Sequence, residues 1–228
     1  MKFCTCLLKK KLFCAGVIFP AVIIVILFAV LYRLSNKNVV SSSIERARAI
    51  CMSAELISSD VEKKWKDGIY SVDTLEHWVQ AGDLKKVLRV APILGASLTI
   101  KEESKNKGYT FRVTGFEGMN GSQKPDAIAQ KALAYMSQNN KDEYYEVDKQ
   151  HKQLRYFRSI RTSEMCFNCH GNTTVSKMLR ASHTSEDVVG IRLEKWKDGG
   201  RHGAYEVVQP LENLNTYRNM LDTVSAVF

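Results

Sequence analysis

The chain has 228 residues, of which 45% are hydrophobic and 25% are charged, so it is long enough for one ordinary domain and an additional segment. The net charge of +9 does not by itself indicate nucleic-acid binding, because no block of Lys and Arg is interleaved with aromatic residues. All 24 acidic residues follow residue 34, so the start of the chain is purely basic. We therefore expect no nucleic-acid partner.

The chain starts with a membrane-like segment. Residues 12–32 contain no charged side chain, and a helix of that length, rising 1.5 Å per residue, spans a bilayer core of about 30 Å. Four lysines and no acidic residue precede it, which places the N-terminus in the cytoplasm. The alternative, a cleaved signal peptide, has a shorter apolar run. We expect residues 1–34 to be a cytoplasmic tail and a single-pass anchor in the cytoplasmic (inner) membrane, and residues 35–228 to form a domain in the periplasm or outside the cell.

A long first helix is predicted over residues 38–66, ending at Asp67-Gly68. Small and apolar residues recur there at steps of three and four, so they share one face: Ile44, Ala47, Cys51, Ala54, Ser58, Val61 and Trp65. Such a stripe is typical of a packing face, and it could also form the interface of a homodimer.

The rest of the chain mixes helices with strands. We predict helices over residues 72–90 with a break at Gly82, from Pro125-Asp126 to Met136, and over residues 211–224. We predict extended segments at residues 98–100, 109–114, 143–147, 153–160, 188–193 and 202–208, of which 143–147 and 153–160 form a hairpin. This order predicts an α+β fold with an antiparallel sheet.

The strongest functional signal is Cys166-Phe167-Asn168-Cys169-His170, a C-x-x-C-H motif that indicates covalent attachment of one haem c. Cys166 and Cys169 can each form a thioether to the porphyrin, and His170 can then bind the iron. Half of a zinc site, a thioredoxin-type pair and a structural disulfide are the alternatives. The first lacks a second ligand pair, the second lacks a βαβ context, and the third leaves the adjacent His unexplained.

Cys51 is the third cysteine that follows the anchor, and it has no partner if the motif holds haem. An odd thiol in an oxidising compartment suggests a function or intermolecular pairing. Thiolate is a known ligand of haem iron. A buried, inert cysteine that packs as a small hydrophobic residue is the alternative.

Several segments together resemble the single-haem, c-type, PAS-like extracytoplasmic domains that occur on chemoreceptors and sensor kinases and as free-standing, membrane-anchored cytochromes. The resemblance covers about residues 38–215. Its segments are Ala49-Ile50-Cys51, Tyr109 to Thr114, Asn120 with Pro125-Asp126, Leu154 to Phe157, Cys166 to Gly171, Gly203-Ala204 and Pro210-Leu211. Ala129 stands where the family often has an acidic residue, and the sequence shows no downstream signalling module. The resemblance implies a PAS-like fold.

The resemblance also implies an iron site in which His170 binds one face and Cys51 the other. Other members use Met or water at the second position, so Met52 is an alternative ligand; His77, His183 and His202 are weaker candidates. Arg112, Arg155 and Arg158 could meet haem propionates, although a strand Arg usually lies on a solvated face.

We expect a membrane-anchored, mono-haem cytochrome c that acts in electron transfer with a redox partner protein. The alternative is a redox- or gas-sensing haem domain that signals through a partner subunit. We do not expect an enzyme: peroxidase-like activity would need an open iron position and a distal acid–base group, and the sequence indicates neither.

Overall fold

The computed structural model describes residues 16, 18–115, 125–161, 163–166 and 200–211. The helices in these residues are α1 (Phe19–Lys66), α2 (Val72–Gln80), α3 (Leu84–Val90), α4 (Pro92–Ser104) and α5 (Ala127–Gln138). The strands are β1 (Thr110–Thr114), β2 (Glu143–Asp148), β3 (Gln153–Arg161) and β4 (Arg201–Pro210). The predicted α+β class is confirmed. The predicted strand at residues 188–193 and the helix beyond residue 211 lie outside the described residues.

Helix α1 confirms the predicted long first helix and begins well before it, inside the apolar segment. Its predicted end at Asp67-Gly68 is also confirmed. Gly68 has a φ of +74°, a left-handed conformation that glycine adopts without strain. The Ile69 amide then donates to the Lys64 carbonyl at 2.9 Å, which satisfies one of the carbonyls left free at the helix end.

Helices α2 and α3 are the two halves of the segment that we predicted to break at Gly82. Ser71 caps α2 by accepting a hydrogen bond from the Thr74 amide, and Asp83 caps α3 in the same way through the Lys86 amide. Gly82 connects the two helices with a φ of +70°. The indole of Trp65 in α1 donates to the Val90 carbonyl at 2.8 Å and so ties the end of α3 to α1.

The prediction of an extended segment at residues 98–100 is wrong, because these residues lie in α4. Three adjacent residues of strand-like composition suggested a strand. The buried positions of this segment, however, include Gly95, Ala96, Ile100 and Ser104, which recur at helical spacing. Pro92 occupies the first turn of α4, where its missing amide hydrogen costs nothing, so it starts a new helix after α3.

The four strands form one antiparallel sheet in the order β1-β4-β3-β2. Strands β2 and β3 form the predicted hairpin, in which Tyr144 pairs with Phe157. Strand β4 lies between β1 and β3, and its Val207 is opposite Phe111 on one side and Tyr156 on the other. The last of the described strands in sequence therefore joins the two halves of the sheet.

Helices cover both faces of this sheet. On one face, Phe111, Tyr156, Ile160, Tyr205 and Val207 pack with α1 and α4 in a core that contains Ala47, Cys51, Ala54, Ala96 and Ile100. On the other face, Phe157 and Ala204 pack with Ala129, Ala132 and Met136 of α5. Alternate residues of a strand point to opposite faces, which is why adjacent Tyr156 and Phe157 belong to different cores.

The chain divides into two units, residues 43–210 and residues 1–42 with 211–228. The sheet and its two cores belong to the first unit. In the described part of the chain, α1 is the one helix that is long and apolar enough to cross a membrane, judged by length and composition. The predicted domain boundary after residue 34 stays a prediction.

Candidate functional site around Cys51

Cys51 lies in the middle of the predicted stripe of α1, which the structure confirms as the buried face of that helix. Its side chain is 0% exposed and belongs to the core between α1 and the sheet. Ala47 and Ala54, the neighbouring residues of the stripe, are also fully buried. Because both have short side chains, the sulfur of Cys51 is the longest group on this part of the stripe.

Four charged side chains form an ion-pair network across the sheet and α1. Arg48 Nη2 binds Glu143 Oε2 at 2.9 Å, Arg158 Nη1 binds Glu143 Oε1 at 2.6 Å, and Arg158 Nε binds Glu55 Oε1 at 2.6 Å. Arg48 precedes Cys51 by three residues and Glu55 follows it by four, so both are its neighbours on the helix surface. We call this network the charge bridge; its members Arg48 and Glu55 flank Cys51 on α1, and Arg48 also forms an ion pair with Glu45.

The electrostatic surroundings of Cys51 favour the neutral thiol in the absence of a metal. Burial raises the pKa of the Cys51 thiol far above its usual value, while Arg158 acts in the opposite direction. The carboxylates of Glu55 and Glu143 add to the rise in pKa. A bound cation would reverse this balance, because a metal binds the thiolate and releases the proton.

Tyr156 and Tyr205 of the sheet belong to the same core as Cys51. Ser58 lies near the Tyr205 hydroxyl, and Glu143 and Arg158 lie near the buried Tyr156 hydroxyl. Burial raises the pKa of both phenols, so both hydroxyls keep their protons near neutral pH.

The first cysteine of the C-x-x-C-H motif lies just past β3 and close to α1. The Ser163 hydroxyl donates to Glu62 Oε1 at 2.9 Å, and it lies 3.8 Å from the sulfur of Cys166. Glu62 follows Cys51 by three helical turns, so the two cysteines approach the same side of α1. Burial raises the pKa of the Cys166 thiol as well. Cys169 and His170 lie outside the described residues, so their placement stays a prediction.

The other candidate ligands do not share the position of Cys51. The side chain of Met52 is 46% exposed and points away from the core, as expected for the residue next to a buried one on a helix. His77 lies on α2, in a helix that packs in a separate core with Trp65 and Tyr70. His183 and the side chain of His202 lie outside the described part. Among the described residues, no three His, Cys, Asp or Glu side chains are grouped as a metal site.

The usual position of a strand Arg on a solvated face does not hold for Arg155, whereas Arg112 is partly exposed. Arg155 is 4% exposed and donates to the fully buried Glu206 at 2.7 Å and to Asp126 at 2.9 and 3.0 Å. Arg112 also binds Glu206, and Arg158 belongs to the charge bridge. A single sequence does not reveal these partners, because Glu206 and Glu143 meet the arginines only through strand pairing.

Sequence reasoning missed Glu55, Glu143 and Tyr156 as neighbours of Cys51. Glu55 carried a usable signal, because residues four positions apart on a helix are adjacent. Glu143 and Tyr156 carried none, because their distance from Cys51 in the sequence is bridged only by the sheet register.

Comparison with known proteins identifies the family. A family model described as Tll0287-like matches residues 36–210, which is most of the chain and includes Cys51, the sheet and the C-x-x-C-H motif. The chain belongs to the Tll0287-like family. Its match to this family confirms the resemblance expected from the sequence.

One solved structure is similar to the chain, the cyanobacterial heme-protein Tll0287. The identity is 19%, the match covers 51% of this chain and 70% of that protein, and the TM-score is 0.40. A comparison with curated protein sequences gives no match.

Proposed function

We propose that this member of the Tll0287-like family is a mono-haem c-type cytochrome that transfers electrons. The observation that carries the proposal is the C-x-x-C-H motif, within a chain whose family model and similar solved structure both bear the name of a heme-protein. When bound, haem c supplies one-electron exchange between Fe(III) and Fe(II). The task of the chain is then to hold the haem, to ligate the iron and to set its environment.

The chain has the donor groups for such a site. Cys166 and Cys169 would hold the haem through thioethers, and His170 and Cys51 would be the axial ligands. Cys51 suits this role because it is the buried cysteine on the core face of α1.

The surroundings of Cys51 also favour electron transfer over catalysis. With His170 and Cys51 both bound, no axial position is open to oxygen or to a substrate. A thiolate donates charge to the iron and stabilises Fe(III), so the reduction potential should be low. Electron transfer further requires a redox partner protein, which we propose as the physiological partner.

The proposal includes a membrane anchor. The apolar part of α1 is long enough to cross a bilayer, and the lysines before it favour a cytoplasmic N-terminus. The haem domain would then lie in the periplasm or outside the cell. Pairing of two copies through the first helix is a further part of the proposal, to be tested by the oligomeric state of the full chain in detergent.

Sensing is the second candidate function, and one feature of α1 favours it. This helix contains both the apolar segment and Cys51. If the bond between Cys51 and iron breaks on reduction, the change acts directly on the helix that carries the proposed anchor. Such a sensor would need a partner subunit to carry the signal onward.

The decisive experiment uses the full chain, expressed with haem c maturation and purified in detergent. Haem that stays attached to the denatured protein is expected, and its absence would refute the proposal. Low-spin thiolate signals should appear in the visible and electron paramagnetic resonance spectra of the ferric protein, and Cys51→Ala should remove them. Ser58→Ala, on the same stripe, is the matched control, and Met52→Leu tests the alternative ligand.

The two candidate functions differ in how the reduced protein behaves. An electron carrier should keep both ligands in both oxidation states and should not bind carbon monoxide. A sensor should bind carbon monoxide after reduction, with loss of the thiolate signal. If Cys51→Ala leaves the ferric spectra unchanged, Cys51 is not a ligand.

A further inference from the structure

A tyrosine on β2 donates its hydroxyl to a carboxylate two residues further along the strand. The Tyr144 hydroxyl lies 2.5 Å from Glu146 Oε2, at the short end of the range for a hydroxyl bonded to a charged oxygen. The two side chains lie on the same face of β2, because alternate residues of a strand point the same way. The phenolic proton is therefore within direct reach of a carboxylate that can accept it.

Both groups are in the protonation states that this transfer requires. Burial raises the pKa of the Tyr144 phenol, so the hydroxyl keeps its proton at neutral pH. The ammonium of Lys131 on α5 lies 2.7 Å from the same Oε2 atom, and its hydrogen bond holds the pKa of the Glu146 carboxyl below the usual value. Glu146 is therefore ionised and ready to accept a proton.

The Lys131 ammonium also lies over the Tyr144 ring, 6.0 Å from the ring centroid. A cation at this place opposes the build-up of positive charge on the ring. Removal of an electron alone would leave a phenol radical cation, whereas removal of an electron together with the proton leaves a neutral radical. The surroundings of Tyr144 therefore favour the coupled loss of one electron and one proton.

A second tyrosine connects Tyr144 to solvent. Tyr135 follows Lys131 by four residues on α5, so both lie on the same side of that helix. The Tyr135 ring is 5.2 Å from the Tyr144 ring, centroid to centroid, and its side chain is 42% exposed. On the inner side, the fully buried Phe157 ring lies 6.2 Å from the half-buried Tyr144 ring. An oxidant in solution can thus reach Tyr144 through Tyr135.

We propose that Tyr144 is a redox-active tyrosine, with Glu146 as its proton acceptor and Tyr135 as its contact with solvent. The substrate class is a diffusible one-electron oxidant, such as a peroxyl radical. One electron leaves the phenol for the peroxyl radical, and the phenolic O–H bond breaks as its proton passes to Glu146. The reduced peroxyl group takes a proton from water and becomes a hydroperoxide, and a neutral tyrosyl radical remains.

This activity goes beyond the proposed electron transfer by haem, and it needs neither Cys51 nor the C-x-x-C-H motif. It is tested on the full-length protein in detergent. The oxidant is tris(bipyridyl)ruthenium(III), generated by a laser flash with persulfate as the electron acceptor. Transient absorption measures the rate of tyrosyl formation, and electron paramagnetic resonance of rapidly frozen samples identifies the radical. The unmodified protein should form a tyrosyl radical coupled to an exchangeable proton, and should form it more slowly in D2O.

Replacement of the proton acceptor is the central test. A positioned proton acceptor contributes roughly 10²–10⁴-fold to a rate, so Glu146→Gln should slow tyrosyl formation at least about tenfold and remove the D2O effect. Lys131→Gln is the matched control. It breaks the same ion pair but leaves the carboxylate in place, so it should not slow the reaction.

Three tyrosine variants locate the radical. Tyr144→Phe should remove the signal that is coupled to the exchangeable proton, and Tyr135→Phe should slow its formation because the oxidant loses the exposed ring. Tyr145→Phe is the control, because Tyr145 is the next residue of β2, points to the other face and is 52% exposed. It should leave the coupled signal and its rate of formation unchanged.

Each contrary outcome overturns a defined part of the proposal. A coupled signal that persists in Tyr144→Phe, or the lack of a D2O effect in the unmodified protein, refutes the redox-active tyrosine; the second measurement holds even if the variant does not fold. An unchanged rate in Glu146→Gln, or an equal loss in Lys131→Gln, refutes the proton acceptor. An unchanged rate in Tyr135→Phe refutes the route through that ring. None of these results bears on covalent attachment of haem, so the proposed function is judged separately.

Discussion

Replacement of Arg155 by Met should lower the free energy of unfolding substantially. Arg155 and Glu206 are 4% and 0% exposed, and Arg155 Nε donates to Glu206 Oε1 at 2.7 Å. Without the guanidinium, Glu206 stays buried with only the half-exposed Arg112 as an ion-pair partner in the described structure. Loss of one partner of a buried pair costs about 3–5 kcal/mol, and the remaining Arg112 places our estimate at the lower end, about 3 kcal/mol.

Urea unfolding of the full chain in detergent, followed by circular dichroism, measures this loss. For a chain of this size, about 3 kcal/mol corresponds to a fall in Tm of roughly 6–12 °C. Arg112→Met should cost about 1 kcal/mol or less, because Glu206 keeps its buried partner and Arg112 is accessible to water. The double variant Arg155→Met with Glu206→Met removes both charges and should be more stable than Arg155→Met alone.

The comparison of these variants shows whether an uncompensated buried charge causes the loss of stability. A loss below about 1 kcal/mol in Arg155→Met would show that Glu206 is not left as an uncompensated buried charge. A double variant less stable than the single variant would show that packing, and not charge burial, dominates at this position.

Two further predictions concern close packing and pH. Gly95→Ala should destabilise the protein by about 1–3 kcal/mol in the same urea assay, because a Cβ there would lie 2.4 Å from the Arg89 carbonyl oxygen. The control is Leu98→Ala on the exposed side of α4, which should change the free energy of unfolding little. At Glu143, burial is the largest influence and raises the carboxyl pKa, but Arg48, Tyr156 and Arg158 together lower it further, so the pKa lies below 4.5. The stability that Glu143 contributes is therefore complete above about pH 4.5 and is lost as the pH falls through the lower folded value. Unfolding free energies measured from pH 6 to pH 3 should fall less steeply for Glu143→Gln, and an equal slope in both proteins would contradict this.

The first helix could be predicted because its signal is local. Ala47, Cys51 and Ala54 recur with the helical period, and the structure buries all three. Local sequence signals also predicted the break at Gly82 and the hairpin around residues 148–153. It failed at residues 98–100, where a window of three residues is too short to separate a strand from a helix.

The partners of the charged residues could not be predicted, because they depend on register. Arg155 and Glu206 come together only when β3 lies beside β4, and Arg158 reaches Glu55 only when the sheet covers α1. The sequence identified Cys51 as an unusual thiol by counting cysteines. That it shares a core with Tyr156 and lies beside the charge bridge required the three-dimensional fold.

The position of β4 in the sheet has a consequence for synthesis of the protein. Strands β3 and β4 are adjacent, with Arg161 opposite Arg201, so the sheet brings the two ends of the segment 162–200 together. The sequence of this segment contains the C-x-x-C-H motif. Because β4 joins β1 to β3, the sheet cannot be completed until the motif has left the ribosome and, if the chain is exported, the translocation channel. If the motif attaches haem, a maturation enzyme can thus meet both motif cysteines before β4 joins the sheet.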